Sequence, residues 1–145
     1  MSADSNKAAA RRLIEEGLNK GNMAVLDEVL SAKYNDHAAP PGVPPTLDGF
    51  KMFFNGFRAA FPDLHYTIER EVGEGDWLVH YLTGHGTMKG DFQGMKATGK
   101  AGTWTEFHMG RFEGGKVVEH WATVDQLGML VSVGVMPPPG QPPKM

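Results

Sequence analysis

Apolar residues recur along this chain with two different periods, and the switch between them divides it in two. From Ala8 to Leu18, Ala9, Leu13, Ile14, Gly17 and Leu18 follow helical spacing, which predicts an amphipathic helix with Asp4 or Ser5 within reach as caps. Asn19-Lys-Gly-Asn22 interrupts it, and Met23, Leu26, Val29 and Leu30 predict a short second helix. Tyr34-Asn-Asp-His37 leads into Ala-Ala-Pro-Pro-Gly-Val-Pro-Pro, too rich in proline for regular structure and expected to rim an opening. Thr46 is placed to cap a third helix, in which Leu47, Phe50, Phe53, Phe54, Phe57, Ala60 and Phe61 form a wide apolar stripe ended by Pro62.

After Pro62 the period becomes two. Leu64 to Glu71 and Trp77 to Thr87 predict strands joined by a turn at Gly73-Glu-Gly75-Asp76, and a glycine-rich stretch from Met88 to Lys100 follows. Trp104 to Asp125 predicts a hairpin, because Gly114-Gly115 supplies two residues free to take positive φ between β-rich runs. Asp125 is also placed to cap a last helix, Gln126 to Val133, ended by Gly134. Helices first and an antiparallel sheet afterwards predict an α+β fold, helices packed on one face of a curved sheet. Residues 1–136 make one domain, and 137–145 a proline-rich tail expected to be extended or disordered.

A chain of 145 residues can bury one core, or a core with a cavity. A net charge of −3 and a pI near 6.0, with no stripe of Lys and Arg, argue against a nucleic-acid surface. The absence of cysteine removes disulfides, a thiolate nucleophile and a Cys-based zinc site. The polar start lacks a signal-peptide apolar region, and no run approaches the roughly 20 apolar residues of a bilayer span. A cytoplasmic protein is expected. No glycine pattern of a dinucleotide or phosphate loop, no Gly-x-Ser-x-Gly elbow and no His-Glu-x-x-His occurs. His80 and His85, an odd number apart, fall on opposite faces of a strand. Neither a metal nor a cofactor is expected.

The chemistry that survives lies in the hairpin. Pairing Glu113 with Lys116 sets His108 opposite Trp121, Glu106 opposite Thr123 and Trp104 opposite Asp125, so these six share one face. The other face carries Thr105, Phe107, Met109, Arg111, Val118, His120, Ala122 and Val124. Two carboxyls, an imidazole and two indoles suit a partly apolar pocket with acid–base groups in its wall, since burial of a carboxyl can tune it for proton transfer. Asp125 is equally placed to be a plain helix cap, and His108 to be a hydrogen-bonded sheet residue. Trp104, Trp121, Glu106, Phe54 and Phe57 are the expected ligand contacts, joined by His37 at the root of the proline loop. The face bearing Phe107, Met109, Ala122 and Val124 is too apolar to leave wet, which predicts a homodimer.

Phe61-Pro-Asp-Leu64, Gly86-Thr-Met-Lys-Gly-Asp-Phe-Gln-Gly94, Arg111-Phe-Glu-Gly-Gly-Lys-Val-Val-Glu-His-Trp121 and Asp125-Gln-Leu-Gly-Met-Leu resemble the SnoaL-like polyketide cyclases, or ester cyclases, over nearly the whole chain to about Pro138. The resemblance implies the cone-shaped α+β fold of ketosteroid isomerase, with three N-terminal helices over a strongly curved sheet. It also implies intramolecular aldol condensation of an apolar carbonyl compound without metal or cofactor, with an aspartate as acid/base at a position that looks like Asp125. On the hairpin reading, His108 is the candidate donor that stabilises the oxyanion. Two other functions stay open: a protein of the same fold that binds a hydrophobic small molecule without turning it over, and an isomerase-like or epoxide-hydrolase-like enzyme. The latter needs an arginine between two acids, and Arg111 is expected on the opposite face from Asp125.

Overall fold

The computed structural model describes residues 3–140, so the end of the expected tail lies outside the described residues. Helix α1, Ala3–Arg12, runs on as a π-helical stretch, Leu13–Leu18, and buries Ala10, Ile14 and Leu18. Asn22 caps α2, Met23–Val29, by accepting from the Ala24 amide. Thr46 caps α3, Leu47–Ala60, by accepting from Gly49 N at 3.1 Å. Its aromatic stripe buries Phe54 and Phe57, and Phe61 follows at 1 % exposure. Five strands follow the chain as β1 (Leu30–Asp36), β2 (His65–Glu74), β3 (Trp77–Thr87), β4 (Ala101–Glu113) and β5 (Lys116–Val124), and α4, Gln126–Ser132, comes last.

The strands form one curved, unclosed sheet in the order β1-β5-β4-β3-β2, with helices against its concave face. The α+β architecture is the one the sequence predicts, with one addition. Leu30–Asp36, read as the end of a helix and the start of a loop, is an edge strand parallel to β5, setting Asp36 beside His120. Tyr34 and Asp36 are buried on alternate positions while Asn35 between them is exposed, the period of two that marks a strand. No helix among the described residues is long and apolar enough to cross a membrane.

The hairpin turn is as predicted, with Gly114 and Gly115 at φ 60° and 83° and Glu113 opposite Lys116. The register beyond it is not. Phe112 pairs with Val117 but Arg111 pairs with Glu119, which leaves Val118 as an extra residue in β5. Such a bulge turns every later side chain to the other face of the sheet. His108 stands opposite Ala122 and not Trp121, and Glu106 opposite Val124 and not Thr123. His120, Ala122 and Val124 thus face the helices, while Trp121 and Thr123 join Phe107 and Met109 on the convex side. A second bulge, between Ile68 and Arg70 of β2, brings Glu71 opposite His80 on the inner face. Close packing there leaves little slack: a Cβ on Gly84 would sit 2.8 Å from the Trp104 indole.

Candidate active site

Between α3 and the concave face of the sheet lies a cavity of about 300 Å³, at the small end of the range for ligand sites. Phe50, Phe53, Phe54 and Phe57 line it from α3 and Phe92 from the segment before β4. The rings pack on one another, Phe57 lying 5.2 Å from Phe92 and 6.3 Å from Phe54 between centroids. Ala38, Pro40, Gln93 and Gln126 also line it. Its titratable residues come from the sheet: Asp36 of β1, Tyr66 of β2, Glu106 and His108 of β4, and His120 of β5.

Four of these groups form one unbroken hydrogen-bonded series. Asp36 Oδ1 lies 2.8 Å from His120 Nδ1, His120 Nε2 lies 2.8 Å from His108 Nδ1, and His108 Nε2 lies 2.6 Å from Glu106 Oε1. The two imidazole planes are inclined by only 15°, so they meet nearly edge to edge. Trp104 Nε1–H donates to Glu106 Oε2 at 2.7 Å, and the Ala38 amide donates to Asp36 Oδ1 at 2.9 Å. The Glu106 side chain is 4 % exposed and that of Asp36 7 %, so each carboxyl owes its charge to its partners.

Burial pushes Glu106 upward, yet its bonds from His108, Trp104 and the Tyr66 hydroxyl together hold its pKa below the usual value. Asp36 follows the same balance: burial raises it, and His120, the Ala38 amide and the Tyr34 hydroxyl more than compensate. Burial lowers His120 against the pull of Asp36. It raises both tyrosines, reinforced by the neighbouring carboxylates, so Tyr34 and Tyr66 stay protonated donors. The result is two histidine–carboxylate dyads meeting head to head beside an apolar cavity. Behind them a smaller space of about 70 Å³ is lined by His80 as well as His108 and His120, and His80 Nε2 meets Glu71 Oε2 at 2.5 Å.

A sequence profile of the SnoaL-like polyketide cyclases matches residues 8–132. The chain belongs to this family. Solved structures give the same architecture. TsrD from Streptomyces laurentii is 24 % identical with a TM-score of 0.85, the match covering 94 % of this chain and 99 % of TsrD. IdmH from Streptomyces antibioticus, provisionally a polyketide cyclase, is 28 % identical at a TM-score of 0.79, covering 89 % and 98 % of the two chains. AclR from Streptomyces galilaeus, provisionally a hydroxylase, is 25 % identical at 0.82, covering 94 % and 100 %. No curated protein matches the sequence.

The expected site residues separate into two groups. Glu106 and His108 belong to the series, Phe54 and Phe57 line the cavity, and Trp104 packs 6.2 Å from Phe57 while holding Glu106. Trp121 and His37 lie outside. The bulge sends Trp121 to the convex face, where it stacks on His37 at 4.6 Å and 10° and lies 5.5 Å from Trp77. His37 Nε2 bonds Glu119 at 2.8 Å and Arg111 Nε bonds the same carboxylate at 2.7 Å, so Arg111 is far from any pair of pocket acids. Asp125 follows β5, is exposed, and accepts the Gly128 amide at 2.8 Å as the N-cap of α4. The expected pairing of Asp125 with Trp104 does not form. Asp36, His120 and Tyr66 were not singled out by sequence. The adjacent buried valines Val117 and Val118, which break the alternation of β5, are the signal that would have exposed the bulge and hence His120. Among the described residues, no group of three or more His, Cys, Asp or Glu is arranged to hold a metal ion.

Proposed function

We propose that this protein is an acid–base enzyme of the polyketide-cyclase type, closing a ring in a neutral, largely apolar carbonyl compound by aldol chemistry. The observation that carries the reading is the pair of head-to-head dyads at an aromatic-walled cavity. A substrate entering between the imidazoles replaces their mutual bond, its carbonyl oxygen accepting from His108 Nδ1–H and its α C–H facing the lone pair of His120 Nε2. His120 Nε2 then takes the proton α to one carbonyl, and the resulting carbanion forms a C–C bond to a second carbonyl. The oxygen released from that double bond takes the proton of His108 Nδ1. Asp36 holds His120 in the required tautomer and stabilises the imidazolium that forms, while the proton of the Glu106–His108 contact rests on His108 Nε2 as Nδ1 gives its own up, so that His108 ends neutral. Among the described residues, no lysine or arginine lines the cavity, so an anionic ligand would meet the two carboxylates there without a counter-charge. Asp125, as the cap of α4, contributes to folding in this scheme and not to proton transfer.

The test is turnover of a panel of neutral polyketide-type keto esters, read as loss of the open-chain compound and appearance of a cyclic isomer or its dehydrated form. Asp36→Asn and His120→Gln should each lower kcat by about 10²- to 10⁴-fold in a folded protein. Binding of such esters with no conversion by the wild type would leave a ligand-binding protein. Full activity in both variants would remove the mechanism.

A further inference from the structure

The series Asp36···His120···His108···Glu106 contains three contacts and no spare partner within them. Each contact is between two atoms that both can carry a proton, and each is 2.6 to 2.8 Å long. A hydrogen bond needs one proton and one lone pair. Two protons in the His120–His108 gap would set N–H against N–H, and an empty gap would set lone pair against lone pair in a wall that excludes most water. All three contacts are satisfied together only when each holds one proton. The group as a whole then carries one net negative charge, wherever along each contact the proton sits. A shift of every proton toward Asp36 leaves Glu106 charged and Asp36 neutral, and the reverse shift exchanges them without moving a heavy atom.

We propose that Asp36, His120, His108 and Glu106 hold three protons in common and titrate as one unit, with Glu106 acting as a positioning residue for the Asp36 end. The surroundings favour this. Tyr34 on β1 stacks 6.1 Å from His120, and Tyr66 on β2 reaches Glu106; both remain neutral donors. His80 on β3 is engaged by Glu71, which Arg11 of α1 bonds in turn, so it neither donates to the series nor accepts from it through that nitrogen. Among the described residues, neither Lys nor Arg lines the cavity. The inference goes beyond the proposed reaction and does not need it, but it says how the enzyme would reset: a proton left on His120 Nε2 returns to His108 Nδ1 by one hop across 2.8 Å.

The experiment follows the Asp36 and Glu106 side-chain carboxyl carbons and the His108 and His120 ring nitrogens by NMR against pH in ¹³C,¹⁵N-labelled protein without ligand. One common transition is expected at all four residues. Glu106→Gln should displace the transition seen at Asp36 and His120 by about one pH unit or more, the size at which coupled sites titrate as a unit. Asp36→Asn should do the same at Glu106, which keeps the proposal testable if Glu106→Gln does not fold. In a His108→Phe background, Glu106→Gln should no longer register at Asp36. Separate midpoints, or Asp36 and His120 curves in Glu106→Gln that superimpose on the wild type, would overturn it. Coupling without turnover of any ester removes the enzymatic reading alone; turnover without coupling removes the shared protons alone.

Discussion

The two faces of the β4–β5 hairpin carry similar side chains and put them to different uses. On the concave face His120 meets Asp36 and His108 meets Glu106 where side-chain exposure is 25 % or less. On the convex face His37 meets Glu119 at the same 2.8 Å as His120 meets Asp36, but with 37 % and 27 % of the side chains exposed and Arg111 sharing the carboxylate. Water and a competing guanidinium level the convex pair, which contributes little. Burial, with no Lys or Arg lining the cavity among the described residues, leaves the concave pairs dependent on each other. Identical residue types become a buried hydrogen-bonded series on one side and ordinary surface ion pairs on the other, and the deciding variable is desolvation.

Packing should separate the faces most sharply. Phe57, 5 % exposed among Phe54, Phe61, Phe92 and Trp104, should lose about 3–5 kcal/mol on Phe57→Ala in urea unfolding. Phe107, 54 % exposed, should change by about 0.5 kcal/mol or less in the isolated protomer. Equal losses would mean the convex face is covered.

Acid should act through the concave face. His80 is lowered by burial, so the unfolded chain takes up a proton below about pH 6.5 before the native one does. Its contribution to stability is present above that pH and declines as pH falls below it. Asp36 and Glu106 sit below their usual values, so their contribution holds above about pH 4 to 4.5 and is lost as pH falls through the folded values. Denaturation midpoints should decline in two stages from pH 7 to pH 3, and His80→Gln should flatten the first. A stability maximum near pH 5 would contradict this assignment.

The convex face also tests association. Val72, Trp77 and Phe107 are 56 %, 42 % and 54 % exposed, and contiguous apolar surface of this kind marks interaction sites. The expected outcome is a homodimer at micromolar concentration by sedimentation, returned to a monomer by Phe107→Asp. Ala122 and Val124, expected on that surface from the sequence, face the cavity instead. A monomeric wild type would refute the dimer.

The smallest effect belongs to Asp125→Asn. Asparagine keeps most of the capping of α4, so stability should change by less than about 1 kcal/mol and turnover should stay within a few-fold of the wild type. A collapse of turnover in this folded variant would return the base to Asp125 and leave the dyads structural.

Much of the fold was legible because its signals are local. The Thr46 cap, the phenylalanine stripe, the Gly114-Gly115 turn and the Gly134 stop each read correctly from neighbours a few residues apart. Glu106 and His108 were found because they lie on one strand at a spacing of two. Asp36 and His120 were missed because their partnership spans 84 positions and depends on a parallel edge strand. Trp121 was misplaced because the face of every residue after Val118 depends on whether that residue is accommodated as a bulge.

Sequence alone therefore determined the order of helices and strands apart from β1, the aromatic wall and the presence of acid–base side chains in the last hairpin, since period, caps and turns act over a few residues. The tertiary structure decided which of those side chains meet. One extra residue in β5 and one strand laid beside it exchanged Trp121 for His120 and brought Asp36 to it, because a pleated strand alternates faces and a single insertion reverses everything beyond it.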